Sequence, residues 1–295
     1  YEKLSRECKK INQEYEIIFV DDGSDDRTIS ILSELGAKER AVKIIKLSRN
    51  HGHQLALSAG LDHSQGRYTL TMDADLQHPP ELIPRFLEEA KKGAEVVNGI
   101  KKYTEKRGFI KNFLAALYYR VLRMITKIDV EAHASDFRLY SRKALEVIKV
   151  ARERERYLRG LVGWIGFKQN NIYYVCPKRY AGKPKYTLMK LTKLASYAIF
   201  SFSAFPLKVS LYIGIIIVIF NTAYAIFALV VRIKAPSIVS GYASLIIFIL
   251  FLFSWLFISM GILGEYVLRI YEEVKRRPLY IIDWKKGFED ERTNS

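Results

Sequence analysis

Residues 69–80 read TLTMDADLQHPP, a β-branched run that stops at two aspartates one residue apart and passes through Gln77 into a proline pair. Such a run reads as a buried strand. Its end projects Asp73 and Asp75 into the space beyond the sheet. A polar turn before a helix would look the same locally, so the meaning of these carboxylates depends on what the rest of the chain places beside them.

RYTLTMD (67–73) is one of four segments with strand character, the others being EIIFV (16–20), VKIIKLS (42–48) and AEVVNGI (94–100). Helical segments lie between them at 26–38, 54–64 and 80–92, the last opening on Pro79-Pro80, which suits a first helical turn. Strands alternating with helices of this length predict an α/β fold whose mostly parallel sheet is covered on both faces. Ligands of such sheets bind beyond the carboxyl ends of the strands. The first strand runs into VDDGSDD, so Asp21 and Asp22 are expected on the same edge as Asp73 and Asp75. Asp-Gly-Ser alone is ordinary turn chemistry. Four carboxylates on one edge repel one another unless cations or hydrogen-bond donors offset them, and that favours a site. Magnesium and manganese take oxygen ligands and often use one or two carboxylates plus substrate phosphates. Asp73, Asp75 and the side-chain carbonyl of Gln77 suit that chemistry, whereas His78 reads as structural.

The chain has 295 residues, 49% of them hydrophobic, and a formal net charge of +16. That charge implies an anionic partner, either nucleic acid or an acidic membrane surface. Residues 209–231 and 242–264 contain no charged side chain, and each reaches the roughly 20 residues needed to cross about 30 Å of hydrocarbon. The short linker between them contains Pro236, so they are expected to form a helical hairpin with both ends on one side. Lys185, Lys190, Lys193 and Lys208 precede it, and Arg269, Lys275, Arg276, Arg277, Lys285 and Lys286 follow it, against Arg232 and Lys234 in the linker region. The bias of cations toward the cytoplasm puts both flanks there. The opening residues read as a polar helix rather than a signal peptide. Cys8 and Cys176 show neither metal-ligand spacing nor a disulfide framework, which suits a reducing compartment. The cations border membrane segments and no nucleic-acid motif is recognised, so nucleic acid is excluded as the partner.

EIIFVDDGSDDRT (16–28), MDADLQHPPELIP (72–84), SDFRLYSRKALE (135–146) and RYAGKPKYTLMKL (179–191) occur in this order ahead of the apolar spans. In that set the chain resembles family 2 glycosyltransferases of the Rossmann-like GT-A fold. Within them it resembles bacterial polyprenyl-phosphate glycosyltransferases, including bactoprenol glucosyltransferases, and more distantly dolichol-phosphate mannose synthases. The resemblance implies a catalytic domain over 1–184, an interfacial helix region over 185–206, two transmembrane helices within 207–269 and a cytoplasmic tail over 270–295. It implies that Val20, Asp21 and Asp22 line a nucleoside pocket. Asp73, Ala74 and Asp75 would hold the nucleotide sugar and its magnesium or manganese ion, with Gln77 as a further metal ligand. Lys101, Arg179 and Lys185 would approach the donor phosphates, and Asp136 is the candidate catalytic aspartate. Arg138 and Arg159 are assigned to the acceptor phosphate. Relatives often carry Ser where this chain has Pro184, and their first strand, ending in Pro-x-Tyr-Asn-Glu, is expected to precede this sequence.

The activity so implied is inverting transfer of a hexose, glucose from UDP-glucose in the first instance, to undecaprenyl phosphate. GDP-mannose, UDP-galactose and an amino-sugar donor fit the same motifs. A lipid phosphate is already mostly ionised at neutral pH and needs little help from a base, so Asp136 is expected to contribute to catalysis either by positioning substrate or as a base; the alternative is a structural pair with Arg138. Residues 108–127 and 185–206 have the basic amphipathic pattern of helices lying among anionic headgroups. ARERERYLRG (151–160) reads as a solvated helical face, and Asn221 as a helix–helix hydrogen-bonding residue compatible with a homo-oligomer. A processive synthase would carry a Gln-x-x-Arg-Trp motif and more spans. A non-catalytic nucleotide-sugar-binding scaffold would not need Asp136, Arg179 and Lys185.

Overall fold

The computed structural model describes residues 1–102, 134–154, 156–175, 205–234 and 242–288. The chain forms two units, Tyr1–Thr187 with Arg277–Ser295, and Leu188–Arg276. The amphipathic segment expected at 108–127 and, but for Phe205 and Pro206, the one expected at 185–206 lie outside the described residues, as do Arg179 and Lys185.

In the first unit the expected alternation is present: α1 (Glu2–Lys10), β1 (Ile17–Asp21), α2 (Thr28–Lys38), β2 (Val42–Leu47), α3 (His53–His63), β3 (Tyr68–Thr71), a 3-10 turn (Pro80–Leu82), α4 (Ile83–Lys91) and β4 (Val96–Lys102). Then come β5 (Ala134–Ser141), α5 (Arg142–Val150), α6 (Leu158–Trp164) and β6 (Gln169–Val175). The strands form two sheets. One has the order β1-β2-β7, where β7 is Ile282–Lys286, and the other β3-β5-β4-β6.

The expectation of mostly parallel pairing needs correction. β1–β2 and β4–β6 are parallel, but β2–β7, β3–β5 and β4–β5 are antiparallel. β5 is the cause in the second sheet. It lies between β3 and β4 and runs against both, so those two strands remain co-directional and their carboxyl ends share an edge. The register Thr71↔Arg138 then sets Asp136 level with residue 73. An antiparallel strand thus brings its amino-terminal residues to the edge where the parallel strands end.

The two faces of β4 bury different helices because successive side chains point to opposite sides. Val96 joins Leu61, Tyr140, Leu145, Ile148, Leu158 and Leu161 beneath α3, α5 and α6. Val97 joins Phe86, Phe137, Leu139 and Ile172 against α4. Helix α3 also packs on the first sheet through Ala59, which meets Ile45 and Leu47.

β7 is absent from the sequence reading, which treats everything beyond residue 269 as a tail. It pairs with β2 at Ile44↔Lys286 and Leu47↔Ile282, while Tyr280, Ile282 and Phe288 cover the Ile45–Leu47 cluster. That explains why Ile44, Ile45 and Leu47 are fully buried: β2 is a central strand. Tyr280 also donates to Asp62 Oδ2 at 2.7 Å, and Lys46 donates to Asp283 at 2.7 Å.

The second unit contains α7 (Phe205–Lys234) and α8 (Tyr242–Val274), both long and apolar enough to cross a membrane. Ser210 Oγ, early in α7, donates to Ser259 Oγ, late in α8, at 2.8 Å, and Tyr224 stacks on Phe248. The pair is therefore an antiparallel hairpin. Asn221 Oδ1 is buried and has no hydrogen-bond partner among the described residues. The hairpin leaves the first unit before α7 and returns to it at β7, so both its ends join one domain.

Ending the chain at Arg276 removes the Tyr280–Ile282–Phe288 cover and opens the β2 edge. At roughly 1.5–3 kcal/mol per large buried apolar side chain, we expect a loss of about 3 kcal/mol or more. A thermal melt in detergent checks this, and a truncated chain melting within a degree of the full one contradicts it.

Candidate active site

The turn after β1 and the loop before α3 are built against each other. Gly23 has φ +71°, and a Cβ there would come within 2.6 Å of the Arg49 carbonyl carbon, so neither the backbone conformation nor the space suits another residue. Asp21, buried, accepts from the Ser24 amide at 3.1 Å and closes the turn. Asp22 accepts from the amides of His51 at 2.7 Å and Gly52 at 2.9 Å. Its carboxylate fastens the entry to α3, a use that the resemblance to a nucleoside-pocket residue did not suggest. Val20 packs on the Ile45–Leu47–Ala59 cluster, under Gly60 of α3.

The DADLQ segment leaves β3 as a tight turn. The Gln77 amide donates to Asp75 Oδ1 at 3.1 Å, and Leu76 adopts φ +60°, a left-handed conformation unusual for a bulky side chain. His78 is completely buried, stacked on Phe137 with ring centroids 5.0 Å apart. Its Nδ1 accepts from the Asp73 amide at 2.9 Å. Burial pushes the His78 pKa down, against the opposing pull of Asp73, so the ring is neutral with its proton on Nε2. The structural reading of His78 holds: it pins the backbone that presents Asp73. Ala74 is exposed, and Asp73 and Asp75 are partly exposed. Lys101, at the carboxyl end of β4, is near enough to act electrostatically on His78.

Asp136 is buried at the start of β5 and is contacted from two helices. Arg159, from α6, donates Nε to Oδ1 and Nη2 to Oδ2, each at 3.1 Å. His53 Nε2 lies 3.1 Å from Oδ2, and Gln54 Nε2 3.5 Å from it. Burial opposes ionisation of Asp136, but the bonds from His53 and Arg159 outweigh it and hold the carboxyl well below the usual range. The same bond raises the His53 pKa against its own partial desolvation. Gln54 also accepts from the Leu158 amide at 3.2 Å, tying α3 to α6.

The partner of Asp136 is thus Arg159 and not Arg138. Arg138 is only 2% exposed, and its Nε and Nη1 have no hydrogen-bond partner among the described residues. The ARERERYLRG stretch is not a solvated face. Arg156 is buried and donates to the carbonyls of Ile148 and Ala151, satisfying the acceptors that the end of α5 leaves open. Sequence reasoning missed His53 and Gln54 as site residues. The signal available was HGHQ (51–54) directly after a strand ending on the same edge.

Residues 4–149 match the profile of glycosyl transferase family 2. The chain is 41% identical over 292 residues to an uncharacterized glycosyltransferase of Bacillus subtilis, covering 99% of this chain and 90% of that one. It is 42% identical to an uncharacterized glycosyltransferase of Synechocystis, over 93% and 86% of the two chains. It is 38% identical to the bactoprenol glucosyl transferase of Shigella phage SfX, over 96% and 93%. The chain belongs to glycosyltransferase family 2. It is a glycosyltransferase, and enzymes of this family generally use a divalent cation. Asp73, Asp75 and Gln77 offer oxygen donors alone, the chemistry that magnesium or manganese takes. Two carboxylates and one side-chain carbonyl would leave the rest of such a cation's shell to substrate phosphates and water.

Replacing Arg159 by Ala leaves Asp136 without its two-point partner. Breaking a buried pair costs about 3–5 kcal/mol, which the partial exposure of Arg159 reduces to roughly 1–3 kcal/mol. We expect turnover to fall at least tenfold, with Lys at 159 restoring only part because it cannot make both bonds. Steady-state kinetics and a melt on the two variants decide this. Equal activity of the Lys enzyme and the parent would rule out the two-point geometry as the cause.

Proposed function

We propose that the chain transfers glucose from UDP-glucose to undecaprenyl phosphate, with inversion at the anomeric carbon, at the cytoplasmic face of the bacterial inner membrane. The observation that carries the acceptor class is the match to bactoprenol glucosyl transferases over nearly the whole chain, and the bonding of Asp136 agrees with it. A carboxyl held firmly ionised by Arg159 and His53 is a weak base, and general-base catalysis works best with a pKa near the operating pH. A sugar hydroxyl acceptor needs such a base. A phosphate monoester, with a second pKa of about 6, arrives already ionised. The match to bactoprenol glucosyl transferases over nearly the whole chain, apolar hairpin included, supports a polyprenyl carrier for that phosphate. The cation excess flanking the hairpin supports the cytoplasmic face.

The reaction is a single displacement. An oxygen of the lipid phosphate forms a bond to the anomeric carbon, and the bond from that carbon to the diphosphate breaks. The nucleoside diphosphate leaves with the electron pair. Asp73, Asp75 and Gln77 would hold a magnesium or manganese ion, which neutralises charge on the leaving diphosphate. Lys101, with Arg179 and Lys185, adds positive charge for the same phosphates, and the turn after β1, with Val20, Asp21 and Asp22, forms one wall of the nucleoside pocket. Asp136 orients the reacting groups from the opposite sheet, with Arg159 beside it on the acceptor side and Arg138 beneath.

Purified protein incubated with undecaprenyl phosphate, magnesium or manganese and a panel of radiolabelled nucleotide sugars is expected to give labelled lipid with UDP-glucose and none after chelation. Label from GDP-mannose, UDP-galactose or an amino-sugar donor instead would reassign the donor. No lipid product from any donor would overturn the reading.

The pH profile has a definite sign. Activity as kcat/KM should rise with pH through about 6, where the acceptor phosphate loses its second proton. An Asp136→Asn enzyme should be slower but keep that inflection. Its disappearance in the variant would make Asp136 the base after all.

A further inference from the structure

One imidazole nitrogen lies between two carboxylates that belong to different strands. His53 Nε2 is 3.1 Å from Asp136 Oδ2 and 3.7 Å from Asp73 Oδ1. The two oxygens are therefore no further apart than those distances laid end to end, close enough for a divalent cation to recruit both after a side-chain rotation. We propose that His53 is a positioning residue that keeps Asp136 out of the coordination shell of the cation, leaving Asp73 to the metal and Asp136 to the reacting groups. This rests on the reading of Asp73 and Asp75 as the cation-binding pair.

Three observations carry the assignment. Asp136 has both oxygens occupied by Arg159, and His53 takes a further position on Oδ2, on the side that faces Asp73. His53 is fixed from behind: Gly52 turns with φ +97°, and the amides of His51 and Gly52 are both held by Asp22 on the first sheet. The imidazole is also 56% exposed, so it fills no core space and its removal leaves no cavity in a packed interior.

The consequence has an unusual sign. Loss of an ordinary supporting partner weakens metal binding, about 10–100-fold. Loss of His53 frees Asp136 to join the metal, so affinity rises while the productive arrangement is lost.

The test is Mn2+ binding followed by electron paramagnetic resonance on the full chain in detergent, with UDP present, beside steady-state turnover. His53→Ala should bind Mn2+ about threefold tighter or more and turn over about tenfold slower or worse, with the melting temperature little changed. His53→Gln, whose amide N–H reaches toward Asp136, should restore both values. In His53→Ala with Asp136→Ala the extra affinity should vanish, since the recruited carboxylate is gone. Unchanged or weaker Mn2+ binding in His53→Ala overturns the proposal, and so does a gain that persists in the double variant. A parent protein that binds no Mn2+ overturns it together with the metal reading. The expected binding pattern in a parent that makes no glycolipid leaves the His53 assignment standing and overturns the proposed transfer instead.

Discussion

A carboxylate buried at the end of a sheet stays ionised only if fixed donors replace the water it has lost. Supplying those donors to Asp136 organises the catalytic domain. Arg159 comes from α6, and His53 and Gln54 from the first turn of α3. Each donor is itself held, His53 by the loop that Asp22 fastens and Gln54 by the amide of Leu158. The result is a chain of contacts from β1 in one sheet to β5 in the other, passing through one helix terminus. A domain with two separate sheets needs such a crosspiece if residues from both are to act on one substrate.

The edge chemistry follows from strand direction. β3 and β4 carry Asp73 and Lys101 to one edge at their carboxyl ends, and β5 begins there because it runs the other way. The turn after β3 is shaped by a neutral buried histidine and a left-handed Leu76. Local strain and a buried polar ring are retained at this turn because it must present Asp73 and Asp75 outward.

Much of this was legible in the sequence. The four alternating strands, the helices between them and the apolar hairpin follow from periodicity and length, which depend on neighbours in the chain. The placing of Asp22, Asp73 and Asp75 on one side followed from strand ends, whereas the arrival of Asp136 beside them follows from the antiparallel register of β5. What was not legible depends on distant pairing. β5 is not among the strands read from the sequence because Asp136 and Arg138 occupy one of its faces, although both are buried. Arg159 sits in a run of charges whose natural reading is a wet helix face, and only the packing of α6 beside β5 turns it inward. Within HGHQ, one histidine offers its backbone and the other its ring, a division no composition rule supplies. Asp22 was read only as a nucleoside-pocket residue, and its hold on the loop that carries His53 depends on amides 29 and 30 positions away.

β7 shows the same limit at the scale of the domain. Its partner β2 precedes the two apolar helices, and the pairing Lys46–Asp283 spans 237 positions. The first sheet therefore gains its third strand only after both apolar helices have been synthesised. Before then β2 is an edge with Ile45 and Leu47 uncovered, an arrangement prone to pairing with other chains. Closing a loop of that length is entropically slow, although its cost grows only with the logarithm of loop length. An apolar hairpin that folds as a unit shortens the effective loop by bringing the two ends of the chain back together. Pairing α7 with α8 thus bears on the folding of the catalytic domain, because the segment it shortens is the one that β7 must close to complete the first sheet.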